Sequence, residues 1–401
     1  MLLSYCTNVH PAEDLDGVLD QLVRYAAPVR EAAGLDVLGV GLWMPAVLAH
    51  RLAGSPDDRE RLRAVLAEHR LQVHTLNAFP YGGFHADVVK LDVYTPTWAD
   101  PERLAYTLEC AEVLADLLPD GVDGSISTLP LAWREPWTEA ADAAATRAFA
   151  ELSAGLRDLA ARTGRVVRVA VEPEPGCVLD TVEDVVAWLA ERTRPDLPDD
   201  RRIDPEHVGV CLDTCHLAVS FADPAGAVAR IAGAGLRVVK VQASAALHVP
   251  DAADPAARAA VGAFAEQRYI HQVRELSADG AVLAADDLPA ALGDGGDGAG
   301  VARTAGALPA QGPWRVHFHV PLHHEPQAPL EATSEVLRTA VAAVRETPHG
   351  EDAHLDVETY TWSVLPEGAA TDSLVAGIAA ELRWATTHLL PTADATLRRS
   401  A

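Results

Sequence analysis

Residues 165–176 read RVVRVAVEPEPG, and the placement of charge in this run decides how the rest of the chain is read. Val167, Val169 and Val171 share one face of an extended chain; Arg168, Ala170 and Glu172 share the other. In a strand successive side chains alternate between faces. An all-valine face must pack on helices, so Glu172 points the opposite way, at the last position before Pro173. Outward from this run, short apolar stretches recur at 2–8, 36–43, 71–79, 124–131, 207–216, 237–244, 315–322 and 354–362. Between most of them lie segments with helical periodicity, such as DRERLRAVLAEHR (58–70) and RLAYTLECAEVLADLL (103–118). Strand and helix alternating this often predict a parallel sheet with crossover helices. At 401 residues the chain has the length of a (β/α)8 barrel with insertions.

Nine strand candidates compete for eight barrel places. The stretch after RVVKVQAS (237–244) holds GDGGDGAG (293–300), which reads as an exposed loop. We therefore expect one barrel domain over 1–401, with 245–350 inserted between strands seven and eight. RVHFHVPL (315–322) is either an extra strand at the barrel mouth or one that displaces another.

The same alternation applied to the later strands places polar groups inside. In HVGVCLDTCH, Val208, Val210 and Leu212 face out, and Cys211 and Asp213 face in. In RVVKVQAS, Val239 and Val241 face out, and Lys240, Gln242 and Ser244 face in. In HLDVETYTW, Asp356, Glu358 and Tyr360 face in. In RVHFHVPL, His317 and His319 lie opposite Val316, Phe318 and Val320. Active sites of such barrels sit at the carboxyl ends of the strands. Interior carboxylates are costly without partners, and a shared divalent cation removes that cost. Oxygen and imidazole donors suit Mn, Mg, Co or Zn. His10, after a first strand ending at Asn8, and Asn77, ending the third, are expected to touch substrate. Tyr360 and Trp362 read as packing residues.

VEPEPG (171–176), LDTCH (212–216), a polar strand, then VETYTW (357–362) resemble the xylose-isomerase-like superfamily of sugar isomerases and epimerases. The resemblance implies a divalent metal held by Glu172, Asp213 and Glu358, with His216 of the Asp-x-x-His pattern beside it as a substrate group. It also implies that Glu172 and Glu358 act as base and acid in isomerisation or epimerisation. Where the superfamily carries a strand-seven histidine this chain has Gln242; the missing imidazole is expected from His319, leaving Lys240, Gln242 and His317 as substrate contacts. Within the superfamily, LDTCHLAVSF, HFHVPL and VETYTWSVLP resemble the EboE-type metabolite traffic proteins. That implies a small polyol, cyclitol or sugar-like metabolite as ligand and enzymes of the same pathway as partners. A carrier barrel without catalysis is the alternative.

Composition narrows the partners. The formal net charge of −26 opposes phosphate backbones, so neither nucleic acid nor an anionic membrane is expected. No apolar run approaches a membrane span, and the opening MLLSYCTNVHP does not read as a signal peptide. Five scattered cysteines read as reduced thiols, in keeping with a cytoplasmic protein.

Overall fold

The computed structural model describes residues 1–293, 307–366 and 373–391. Most of the GDGGDGAG stretch, 294–300, lies outside the described residues.

Eight parallel strands close a barrel: β1 (Leu2–Cys6), β2 (Leu38–Trp43), β3 (Leu71–Asn77), β4 (Gly124–Thr128), β5 (Val167–Val171), β6 (Val208–Asp213), β7 (Val238–Ala243) and, last in sequence, the strand His354–Val357. Between β7 and that last strand the chain makes β8 (Leu247–Val249), β9 (Val273–Leu276), β10 (Val282–Ala285), β11 (Trp314–Val316) and β12 (Glu331–Ala332), so the closing barrel strand is β13. β8 to β12 form a second, antiparallel sheet in the order β10-β9-β11-β8-β12. The ninth strand candidate thus supplies β11 to this sheet, and β13 pairs with both β1 and β7 to close the barrel. The crossover helix Ser334–Arg345 also falls within 245–350; it packs on the barrel helices Thr214–Val219 and Pro224–Gly233.

The valines of β5 behave as their pattern requires: Val167, Val169 and Val171 are fully buried in the core between strands and helices. The inserted sheet has its own apolar core, built on Trp314, Val316, Phe318 and Val320 with Leu247, Val273 and Leu288. Because those side chains take one face of RVHFHVPL, alternation turns His317 and His319 the other way, toward the barrel mouth.

One phase expectation fails. Val239 does not share the outer face with Val241; it packs inside the barrel against Ala170 and Cys211. The register between β6 and β7 steps from Val210↔Val238 to Cys211↔Lys240, leaving Val239 unpaired in a bulge. Such an extra residue locally breaks the alternation. Gly209, opposite, leaves the room: a Cβ there would lie 2.7 Å from Val239 Cγ2. Beyond the bulge Lys240 and Gln242 still point inward, and both are fully buried.

The barrel interior carries a polar layer below the mouth. Lys240 Nζ lies 2.9 Å from Asp356 Oδ2 with both side chains wholly buried, and Ser4 Oγ donates to Asp356 Oδ1 at 2.6 Å. Gly41 is what admits this carboxylate, since a Cβ there would sit 2.3 Å from Asp356 Oδ2. All five cysteines are free thiols and buried.

Candidate metal centre

Each acidic residue of the site ends a barrel strand or follows it directly. Glu172 follows β5, Asp213 ends β6 and Glu358 follows β13. One oxygen of each lies within 4.8 Å of the other two. Asp213 does two jobs with two oxygens. Its Oδ1 caps the helix Thr214–Val219, accepting from His216 N at 2.9 Å and from Ser244 Oγ at 2.8 Å. Its Oδ2 is buried with no hydrogen-bond partner among the described residues. Glu172 Oε2 is in the same condition. Glu358 Oε1 accepts from Asn8 Nδ2 at 2.7 Å and from Asn77 Nδ2 at 2.9 Å, so two amides, one in the turn after β1 and one ending β3, fix its orientation.

The inserted sheet supplies the nitrogen donors. His319 Nδ1–H donates to the Glu358 carbonyl at 2.7 Å, which leaves Nε2 as a bare acceptor 3.8 Å from Asp213 Oδ2. That Nε2 also has no hydrogen-bond partner among the described residues. Three buried donor atoms without partners, with Asp213 close to each of the other two residues, suit a cation site, because each would otherwise carry an uncompensated desolvation cost. Oxygen-rich ligation with one imidazole fits Mn, Mg, Co or Zn. Burial first and the neighbouring carboxylates second hold Glu172 well above the usual carboxylate range. Burial, then Asp213, pushes Glu358 up to about 8. Burial also pulls the His319 imidazole down, which keeps it neutral and able to ligate.

His216 and His317 lie alongside, with their Nε2 atoms 3.1 Å apart. Glu174, two residues beyond Glu172, has its Oε1 held by Tyr94 Oη at 2.7 Å. Together these groups line a cleft whose other walls include Asn8, Asn77, Phe84, Tyr94, Tyr269 and Tyr360. Lys90 lines it too, but its three ammonium hydrogens are taken by Glu266 O, Tyr269 O and Asp287 Oδ2 at 3.2, 2.6 and 2.7 Å.

Of the residues singled out from sequence, Glu172, Asp213, Glu358, His216, His317, His319 and Asn77 meet at this mouth. Three do not. His10 turns away to contact Tyr5 Oη at 3.2 Å and stack on Tyr25, beside a separate small cavity. Lys240 lies in the polar layer with Asp356. Gln242 is also below the cleft, its Nε2 3.5 Å from Ser127 Oγ. Neither Arg168 nor Lys240 forms an ion pair with Glu172: Arg168 pairs with Asp123 at 2.7 Å and Lys240 with Asp356 at 2.9 Å. The sequence reading missed Asn8, Glu174 and Tyr269, and took Tyr360 for packing. Asn8 ends the first apolar run as Asn77 ends the third, a parallel that marks both as strand-end groups.

This is the mouth of a TIM barrel built around a candidate metal centre. The chain belongs to the xylose isomerase-like TIM barrel family, whose sequence profile matches residues 29–283, well over half its length. No curated protein matches the sequence. Among solved structures, a xylose isomerase-like TIM barrel protein from Mycobacterium smegmatis, in complex with magnesium, is 14% identical; 97% of this chain and 98% of that one are covered, with a TM-score of 0.47. An L-ribulose 3-epimerase is 15% identical, with 100% and 99% covered and a TM-score of 0.47. A D-allulose 3-epimerase from Methylomonas sp., in complex with D-allulose, is 17% identical, with 60% and 72% covered and a TM-score of 0.38. Among the described residues no helix is long and apolar enough to cross a membrane.

Proposed function

We propose that this chain is a divalent-metal-dependent isomerase or epimerase of a small, uncharged keto-sugar or keto-cyclitol. The observation that carries the reading is the meeting of Glu172, Asp213 and Glu358, one oxygen of each within 4.8 Å of the others, with His319 Nε2 3.8 Å from Asp213 Oδ2; Glu172, Asp213 and His319 each keep a buried donor atom without a hydrogen-bond partner among the described residues. When bound, a divalent ion supplies Lewis acidity, polarising substrate oxygens and acidifying the C–H beside a carbonyl. The remaining work falls to side chains. Asn8 and Asn77 hold Glu358 in place. Glu172 and Glu358, from two different barrel strands, take a proton from the carbon and return one to it. Return to the other face of the same carbon gives epimerisation, and delivery to the adjacent carbon gives isomerisation. Tyr94, Tyr269 and Tyr360 provide aromatic walls suited to a ring.

The preference for an uncharged substrate follows from charge. Lys90 is the one Lys or Arg among the described lining residues, and its ammonium is fully committed. Glu172, Glu174 and Glu358 also line the cleft, so away from the metal centre a phosphate or carboxylate group would meet acids and no uncommitted Lys or Arg among the described lining residues. The net charge of −26 extends the same argument to nucleic acid. Enzymes of one metabolic pathway are the partners that the EboE-type sequence resemblance suggests.

The test is solvent exchange. Metal-loaded protein is incubated with a panel of unphosphorylated ketoses and inosose-type cyclitols in D2O, and carbon-bound deuterium is followed by NMR. The wild type is expected to exchange the hydrogen beside the carbonyl; Glu172→Gln is expected to bind the same ligand without exchange. A wild type that binds a ligand and never exchanges it is a carrier, and the enzymatic reading fails.

A further inference from the structure

We propose that Glu381 is a positioning residue of the metal centre: from the last helix of the barrel it sets His319 against Glu358 while hydrogen-bonding to neither. The proposal rests on the reading of those two residues as metal-binding groups.

Glu381 lies on the helix Leu374–His388 and is 1% exposed. Its Oε1 accepts from Leu322 N at 3.0 Å and from Thr359 Oγ1 at 2.5 Å, and its Oε2 accepts from Trp362 Nε1 at 3.1 Å. These donors belong to two segments, and each segment carries part of the site. Leu322 lies shortly after His319, where the chain leaves the second apolar core and Leu322 itself enters that of the barrel. Thr359 follows Glu358 directly, with Trp362 a little further on. The two segments are also tied to each other at the mouth. His319 Nδ1 donates to the Glu358 carbonyl at 2.7 Å, and Thr361 Oγ1 donates to the His319 carbonyl at 2.5 Å. Glu381 fastens both segments from behind to one barrel helix. Gly377, a turn earlier on that helix, makes room for the arrangement: a Cβ there would collide with the indole of Trp362.

The residue type is informative. No cation acts on Glu381; burial pushes its carboxyl up to about 7, against the pull of Thr359, Leu322 and Trp362. A carboxylate buried without a counter-charge is costly, and an apolar side chain would fill the space without that cost. What glutamate offers in return is two acceptor oxygens and no donor when ionised. Three donors from two segments converge on it, so it fits this junction as neither leucine nor glutamine would. Because a contact that orients a metal-binding group is itself felt in metal affinity, the junction should be readable at the metal.

Glu381→Gln keeps the shape and replaces one acceptor oxygen by an NH2 group. Whichever way the amide lies, that group faces the N–H of Leu322 or of Trp362. The full chain, stripped with a chelator, is titrated with Mn2+ by calorimetry well below its melting temperature, with circular dichroism as the check on folding. Glu381→Gln is expected to weaken binding about 10-fold. Adding Trp362→Phe removes the opposing indole N–H and lets the amide turn its oxygen to Leu322 and Thr359, so the double variant is expected to recover most of that loss. A residue that only stabilises the fold would lower the melting temperature and leave the Kd of the folded chain unchanged. Should Glu381→Gln not fold, Thr359→Val cuts the link beside Glu358 and is expected to weaken Mn2+ binding in the same way. A folded Glu381→Gln, or in its place Thr359→Val, that binds like wild type overturns the proposal and leaves the metal centre standing. A loss that Trp362→Phe fails to recover also overturns it. A wild type that binds no divalent ion overturns the metal centre and this proposal with it.

Discussion

His319, carried on the segment after β11, places its Nε2 3.8 Å from Asp213 Oδ2 at the end of β6, and neither atom has a hydrogen-bond partner among the described residues. The pair joins the inserted sheet to the barrel through a gap of the size a cation fills. His319→Ala and Asp213→Ala should therefore weaken Mn2+ or Zn2+ binding to a similar extent, by at least about 10-fold to 100-fold, the range already seen for outer contacts. Calorimetric titration of the two variants beside wild type reads this directly. If His319→Ala binds like wild type, the imidazole is not a ligand.

Metal binding should release protons, and the amount should depend on pH. Burial and Asp213 place Glu358 at about 8 in the metal-free protein, and burial holds Glu172 high as well. A carboxyl raised above its unfolded value of about 4.3 binds more protons folded than unfolded between the two values. Metal-free stability should thus fall as pH rises from about 4.5 to about 8, and the increase in Tm on adding metal should grow over the same range. Proton release, measured by calorimetry in buffers of different ionisation enthalpy, should be clear at pH 7 and fade as the pH rises past these pKa values. A Tm increase that is flat with pH would contradict the assignment.

Removing one amide from Glu358 should cost affinity without unfolding the barrel. Asn8→Ala leaves Asn77 as the other donor to Oε1. Loss of such an orienting contact is expected to weaken metal binding about 10-fold. The comparison is the Kd for Mn2+ in wild type and variant at one pH; equal values would mean that Asn77 alone suffices.

The Lys240–Asp356 pair belongs to stability rather than chemistry. Lys240→Met strands a wholly buried carboxylate beside Ser4 and should cost about 3–5 kcal/mol. Adding Asp356→Asn should recover much of that loss, because the remaining group is neutral. Urea denaturation of the single and double variants decides it, and a single-variant cost below about 1 kcal/mol would show that the ion pair matters little.

The faces of the strands were legible from the sequence; heights and registers were not. Alternation in RVVRVAVEP, HLDVETYTW and RVHFHVPL correctly turned Glu172, Glu358 and His319 to one side. The same alternation put Lys240 and Gln242 on the inner face, where they are, but could not say that they lie below the cleft. Val239 escaped because a bulge depends on how two strands pair, which neither strand records alone. His10 follows the right strand, yet a short 3-10 turn at Thr7–Val9 carries it away from the mouth. Glu174 lies past the end of β5, in a loop where period two no longer applies.

Two of the mouth histidines, His317 and His319, follow β11 of a sheet whose apolar core, around Trp314 and Phe318, is distinct from that of the barrel. Two separately packed parts of the fold therefore meet at one set of donor atoms, so a change confined to the second core reaches the carboxylates only through the histidines it carries. The mouth is in that sense built in two halves: the barrel carries the acids and His216, and the inserted part carries His317 and His319.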